Sequence, residues 1–361
     1  MSNLKIVVVS NMFPTGKQPR YGIFVKEWLD QLKNDCTFKI SSVLIRGRGT
    51  NIIAKLAKYF VFYLRILWVL GDSNALFYFH FGNHSLLPLL FYRKRVLKRV
   101  IVNFHGSDLF PGRWAGKFLL RITSTFFSHI GAFVVPSADY GRTFAENYGI
   151  SSEQIFVSPS GGVDSLVFQP NGEIQSDVVH IGFVGRLDPG KGFDTLINGF
   201  SLLIEKYEQL HLHVVGCGSL EEIYRTKVNN SKKLKEHVTF YGEKPRSQLT
   251  DFYNHFDIFV FPSLRESLGL VGLEAMACGT PVIGSRIDGI SSYLKDEVNG
   301  IAFEAGNALD LCNSVEKYIG LSMEEKIRMR GCALQTATCY DKNNVMLKMK
   351  YFIKEVWKRN T

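Results

Sequence analysis

Two carboxylates eight residues apart, Glu266 and Glu274, stand in the segment PSLRESLGLVGLEAMACGTP at 262–281. The stretch between them is apolar and has no helix breaker after Gly272. A helix opening near Ser267 or Leu268 would put Glu266 at its mouth, beside backbone N–H groups without partners. Such a mouth suits an anion. If the whole span were helical, Glu274 would lie roughly 12 Å deeper and about 80° round the axis, so that both face one cleft. The pair fits either acid/base chemistry or a two-ended grip on a long polar ligand.

A second group has complementary charge. GRLDPGKG at 185–192 places Arg186 and Lys191 five residues apart among Gly185, Gly190 and Gly192. The P-loop pattern needs Ser or Thr after the lysine, and here Gly192 follows. Two cations on a flexible backbone beside a helix start still suit a pyrophosphate, with Arg bidentate and Lys as a point charge. A third group is HGSD at 105–108, after the run VIVNF. A His, Gly and Asp at the carboxyl end of a parallel strand lie where open α/β sheets bind ligands. His105 is therefore a better candidate than His80 or His84. Gly22, in the loop NMFPTGKQPRYGIFV, leaves bare backbone where a ligand can approach.

These groups need strands and helices to hold them. Strand-like runs occur at 5–10, 38–45, 75–81, 100–104, 131–136 and 155–158, then at 180–184, 210–215, 237–243, 257–263 and 280–285. Helical stretches separate them, and the remainder reads as helix, with an amphipathic terminal helix over 342–359. This alternation in both halves predicts an α/β chain of two doubly wound, Rossmann-like parallel sheets facing a central cleft. The polar stretch NGEIQSD at 171–177 reads as the linker. The expected division is an acceptor-binding domain at 1–172, a donor-binding domain at 173–340, and a terminal helix at 341–361 packing back toward the first.

A length of 361 residues agrees with two domains. The net charge of +10 is unevenly placed: residues 1–172 hold 20 Lys+Arg and 9 Asp+Glu, and the rest hold 23 and 24. The whole basic excess thus lies in the first half, which points to an anionic partner there. The stretch NIIAKLAKYFVFYLRILWVL at 51–70 is interrupted by Lys55, Lys58 and Arg65, so it reads as an interfacial helix and not a span. With Arg46, Arg48 and the run Arg93, Lys94, Arg95, Lys98 and Arg99, it forms an expected acceptor or membrane surface. No nucleic-acid recognition motif accompanies these charges. Six cysteines without a C-x-x-C pair read as reduced thiols, not as a disulfide framework or a zinc site. The opening MSNLKIVVVS has a four-residue apolar run and is expected to be a strand, not a secretory leader.

GFVGRLDPGKGFDTLI, the VVGCGSL turn and PSLRESLGLVGLEAMACGTPVIGS resemble the carboxyl half of retaining glycosyltransferases of the GT-B fold, family 4, also called glycosyl transferases group 1. HGSD and the loop before the first helix extend the resemblance to the first half. The resemblance implies a sugar moving from a UDP- or GDP-sugar to an acceptor hydroxyl with retention of the anomeric configuration. Arg186 and Lys191 would neutralise the diphosphate, Glu266 would hold sugar hydroxyls, and Glu274 would hold the ribose. Backbone at Leu268, Gly269, Leu270 and Val271 would meet sugar and phosphate, and Glu243 and Lys244 would lie by the base. Gly185, Gly216 and Gly22 would leave room for the donor, and His105 would contact the transferred sugar. No metal or cofactor is expected, and no D-x-D motif is present. The basic first half adds an expectation of a lipid-linked acceptor in cell-surface polysaccharide synthesis. The protein would then be cytoplasmic, at the inner face of the cytoplasmic membrane. The alternatives are a glycosyltransferase with a soluble acceptor and a non-catalytic nucleotide-sugar-binding subunit. The sequence departs from the common pattern in having Ser267-Leu268 after Glu266 and Asp288-Gly289 after the following strand.

Overall fold

The computed structural model describes residues 4–19, 21–49, 51–106, 108–112, 114–171 and 178–360. It divides into two compact units, Met1–Gly161 with Val345–Thr361, and Gly162–Asn344. The expected linker lies, apart from Asn171, outside the described residues. The division itself falls earlier, after Gly161. Backbone bonds explain this, because Val163 N–H donates to Tyr340 O and Lys342 N–H to Val163 O, which ties 163 into the second unit.

The first unit is a six-stranded sheet in which every pairing is parallel. Its strands are β1 (Leu4–Phe13), β2 (Phe38–Arg46), β3 (Ala75–His80), β4 (Val100–Asn103), β5 (Ala132–Val135) and β6 (Ile155–Val157), in the order β2-β1-β3-β4-β5-β6. A parallel sheet is covered on both faces, so its central strands are continuous apolar runs. β3 and β4 are buried along their whole length. Val7, Val9, Phe77, Phe79 and Val102 form one core with Phe62 and Ile66. On the other face, Ile6, Val8, Leu76 and Tyr78 meet the terminal helix Lys342–Asn360 through Met346, Met349, Ile353 and Val356. Phe352 stacks on Phe156 at 4.3 Å between ring centroids, and Lys350 pairs with Asp35 at 3.3 Å.

The second unit repeats the plan with β7 (Val179–Val184), β8 (Leu210–Val215), β9 (Val238–Gly242), β10 (Ile258–Phe261), β11 (Val282–Ser285) and β12 (Gly300–Phe303). These six are also parallel throughout, in the order β12-β11-β10-β7-β8-β9. The expectation of two doubly wound parallel sheets is met. The edge strand β12 is a correction, since the sequence pattern places 300–303 in the helical remainder. Four residues opening on glycine show no readable alternation, and only pairing with β11 makes them a strand.

Among the described residues, no helix is long and apolar enough to cross a membrane. The helix Ile52–Val69 buries Phe62 and Ile66, while Ile52, Ile53, Leu56, Phe60, Leu64 and Trp68 are exposed. It is therefore anchored on one side and apolar on the other, with Lys55, Lys58 and Arg65 also exposed.

Candidate functional site

In the second unit, the loop after β7 carries the two cations. Its last residue, Gly192, caps the helix Phe193–Leu203 in the left-handed region at φ 69°. A Cβ there would lie 1.8 Å from Pro262 O, so only glycine lets the two loops touch. Leu264 N–H donates to Gly190 O at 2.9 Å and adds a second stitch. This contact brings Lys191 to Glu266, with Nζ 2.6 Å from Oε1. The Ser263 hydroxyl donates to the same oxygen at 2.9 Å. Arg186 stays largely exposed and reaches Asp188 at 2.5 Å. The Ser219 N–H and hydroxyl both donate to Asp188, lowering its pKa and holding it as a carboxylate. The VVGCGSL turn is fastened here as well: Gly216 closes onto Gly185 O, and Leu187 N–H donates to Cys217 O at 3.0 Å.

The helix expected from Ser267 or Leu268 begins at Leu270 and runs to Ala277. Leu268 is 1 % exposed, drawn into the core, and Gly269 at φ 86° fits against the Phe261 ring. This turn delays the helix by two to three residues. Glu266 therefore lies on a loop ahead of the helix, and the 12 Å and 80° of a continuous helix do not apply. The three residues between Glu266 and Leu270 free Glu266 to face the glycine loop. Glu274 sits inside the helix, with its side chain 6 % exposed. It accepts from Arg246 Nη2 at 2.7 Å and from the Tyr253 hydroxyl at 3.3 Å. Two side chains of the helix Arg246–His255 thus orient one buried carboxylate. Glu243 and Lys244 follow β9 on the loop leading to Arg246. Arg246, Ser263 and Asp188 were not picked out in the sequence. The dipeptide Pro245-Arg246 opening a helix after β9 was a usable signal for the first.

In the first unit, HGSD follows β4. Asp108 is fully buried and accepts from the N–H groups of Gly82, His105 and Gly106 at 2.9–3.0 Å. Burial nevertheless pushes its pKa up to about 6. These bonds fix the turn and present His105, whose ring packs on Phe24 at 4.5 Å. The sequence favours His105 over His80, yet the structure pairs them, with ring nitrogens 3.2 Å apart. Burial pulls the His105 pKa down to about 4, so its imidazole is neutral at physiological pH. Gly22 caps the helix Ile23–Lys33 at φ 73°, and the group that closes on it is Met12 O.

A cavity of about 320 Å³ opens in the same unit, lined by Asn11, Tyr21, Arg48, Lys55, Lys58 and Tyr59 among others. Arg46, Arg48, Lys55, Lys58, Arg65, Arg93, Lys94, Arg95 and Lys98 are exposed, as a binding surface requires. Arg99 is a correction: it is 7 % exposed and donates to Asp72 O and Ala75 O, so it braces β3.

Residues 168–330 match the family model of glycosyl transferases group 1. The D-inositol 3-phosphate glycosyltransferase of Nocardiopsis dassonvillei is 32% identical over 198 residues, covering 50% of this chain and 46% of that protein. The chain thus spans about half the length of the curated relatives it matches. Among solved structures, sucrose-phosphate synthase from Thermosynechococcus elongatus superposes with TM-score 0.76 at 16% identity, covering 98% of this chain and 99% of that one. Anabaena Alr3699/HepE in complex with UDP gives 0.70 at 16% identity, covering 97% and 100%. The fold is GT-B, and the group 1 resemblance carried by the motifs in 180–300 is met.

Proposed function

From a glycosyl transferases group 1 domain at 168–330 on a GT-B fold, we propose that this protein transfers a sugar from a nucleoside-diphosphate sugar to an acceptor hydroxyl, with retention. The observation carrying the proposal is the Lys191–Glu266 contact, set beside exposed Arg186 and the mouth of the helix Leu270–Ala277. Cations placed where the diphosphate leaves lower the barrier by stabilising developing charge. In this reading Arg186 and Lys191 take the diphosphate, and Glu266 takes sugar hydroxyls. Glu274, held by Arg246 and Tyr253, takes the ribose. His105, to which the family resemblance gives a contact with the sugar, is held neutral and can hydrogen-bond. The departing phosphate accepts the acceptor's proton on the face where the new bond forms, so no protein nucleophile is needed. The paired cations and helix mouth supply the positive charge without a catalytic metal. UDP or GDP is the expected nucleotide, and Anabaena Alr3699/HepE, which shares this fold, has been solved in complex with UDP and with UDP-glucose.

The acceptor is proposed to be a lipid-linked glycan of a cell-surface polysaccharide, met at the cytoplasmic face of an anionic membrane. Support comes from the exposed apolar and basic faces of the helix Ile52–Val69 and from the basic cavity lined by Arg48, Lys55 and Lys58. A phosphorylated soluble acceptor is the second reading, favoured by the same cavity and by the relatives named for D-inositol 3-phosphate. NMR of the product's anomeric centre tests the transfer, and an inverted anomer would overturn retention. Melting curves with UDP-, GDP- and ADP-sugars identify the donor, since a saturating ligand raises the midpoint.

A further inference from the structure

The second unit carries a histidine cluster that the proposed transfer does not use. His180 on β7 and His213 on β8 point to the same sheet face, because Gly182 pairs with His213 and side chains alternate along each strand. Gly182 leaves that face open, and the Phe256 ring fills the space where its side chain would stand. Phe256 ends the helix Arg246–His255, so seating its ring brings His255 over the strands. The His180 and His255 rings lie 4.1 Å apart between centroids. Donor nitrogens of His180, His213 and His255 all fall within 4.8 Å of one another, and His180 Nδ1 is 2.9 Å from His213 Nε2.

A tetrahedral Zn²⁺ holds imidazole nitrogens at about 2.0–2.1 Å, which sets them about 3.3 Å apart. The observed spacings bracket that value, so small ring movements suffice. His213 also has an outer partner: its Nδ1 lies 2.8 Å from the Tyr241 hydroxyl, leaving Nε2 directed at the cluster. Such a partner fixes tautomer and ring orientation in metal-bound histidines. His213 is buried and His255 is exposed, so the cluster has a closed floor and an open side for a fourth, solvent ligand.

We propose that His180, His213 and His255 form a site for a borderline divalent cation of the Zn²⁺ class. The ion has a structural role, clipping the end of the helix Arg246–His255 to β7 and β8. That helix also carries Arg246 and Tyr253, the two residues holding Glu274. The inference does not depend on which donor or acceptor is used.

The test is a titration of the chelator-stripped full chain with Co²⁺, read by its visible ligand-field absorption, followed by displacement with Zn²⁺. One equivalent of Co²⁺ should give a tetrahedral band, and Zn²⁺ should remove it and raise the melting midpoint. His255→Ala, at an exposed position, should weaken Co²⁺ at least tenfold, while His129→Ala in the other unit should change nothing. Tyr241→Phe keeps the three ligands and should weaken binding about tenfold or more through the lost outer partner. Absence of a band in the wild type overturns the proposal. So does a band that survives His255→Ala, or an intense near-ultraviolet sulfur charge-transfer band, which would place the ion on cysteines.

Discussion

Lys191 Nζ and Glu266 Oε1 meet at 2.6 Å across 75 residues of sequence, half-buried and joined by the Ser263 hydroxyl. The contact depends on Gly192 lying against Pro262 O. Cation and carboxylate therefore hold each other in place before any ligand arrives. A diphosphate drawing on Lys191 would leave Glu266 accepting from Ser263 and available to sugar hydroxyls.

Lys191→Ala removes the point charge from the leaving group. Transfer should fall at least tenfold, above about 1.4 kcal/mol of transition-state stabilisation. Steady-state kinetics with the identified donor measure it, and unchanged turnover would count decisively against the donor site.

Gly192→Ala places a methyl group 1.8 Å from Pro262 O on a backbone at φ 69°. The two loops must separate, at a cost of about 1–3 kcal/mol for the backbone alone. Donor-induced stabilisation in thermal melts should be lost, whereas the far-ultraviolet circular dichroism spectrum should stay that of the wild type.

Asp108→Asn replaces one carboxylate oxygen with an NH2 group, which cannot accept, so at least one N–H now donated to Asp108 loses its acceptor. Leaving one such donor buried and unsatisfied costs about 1–3 kcal/mol. Urea unfolding should show a lower midpoint with an unchanged slope.

His105 has a folded pKa of about 4, below its ordinary 6.5. As pH falls from 6.5, the unfolded chain binds the proton first, so this residue's contribution to stability is present above 6.5 and lost toward 4. The stability difference between wild type and His105→Gln, which cannot titrate, should narrow over that window. Urea midpoints at intervals from pH 7 to pH 4 read it, and a constant difference would refute the assignment.

Vesicle flotation addresses the helix Ile52–Val69. Binding to anionic vesicles should weaken with salt. Trp68→Ala should reduce it too, because Trp68 is 83% exposed and available to an interface. Binding that ignores both salt and Trp68 would remove the membrane reading and leave the soluble acceptor.

Much of this architecture is local in origin. Runs of β-branched and aromatic residues between helical stretches were enough to read two parallel sheets, because strands buried on both faces are apolar without interruption. The glycine loop with Arg186 and Lys191, and the segment bearing Glu266 and Glu274, were legible since charge and backbone freedom are properties of residue type. What depended on non-local contact was not legible. Burial of Leu268 and the Phe261 ring against Gly269 delay the helix to Leu270, and β12 exists only through its pairing with β11. Arg99 looked like one more surface cation, but carbonyls near β3 bury it. Arg246 beside Glu274, His80 beside His105 and the three clustered histidines are separated by 25 residues or more in at least one pairing, and only the sheets bring them together. The chain by itself determined which residues could bind a charged, polar ligand. Tertiary packing decided which of them meet, because distance between side chains is set by the long-range pairing of strands and not by their order in sequence.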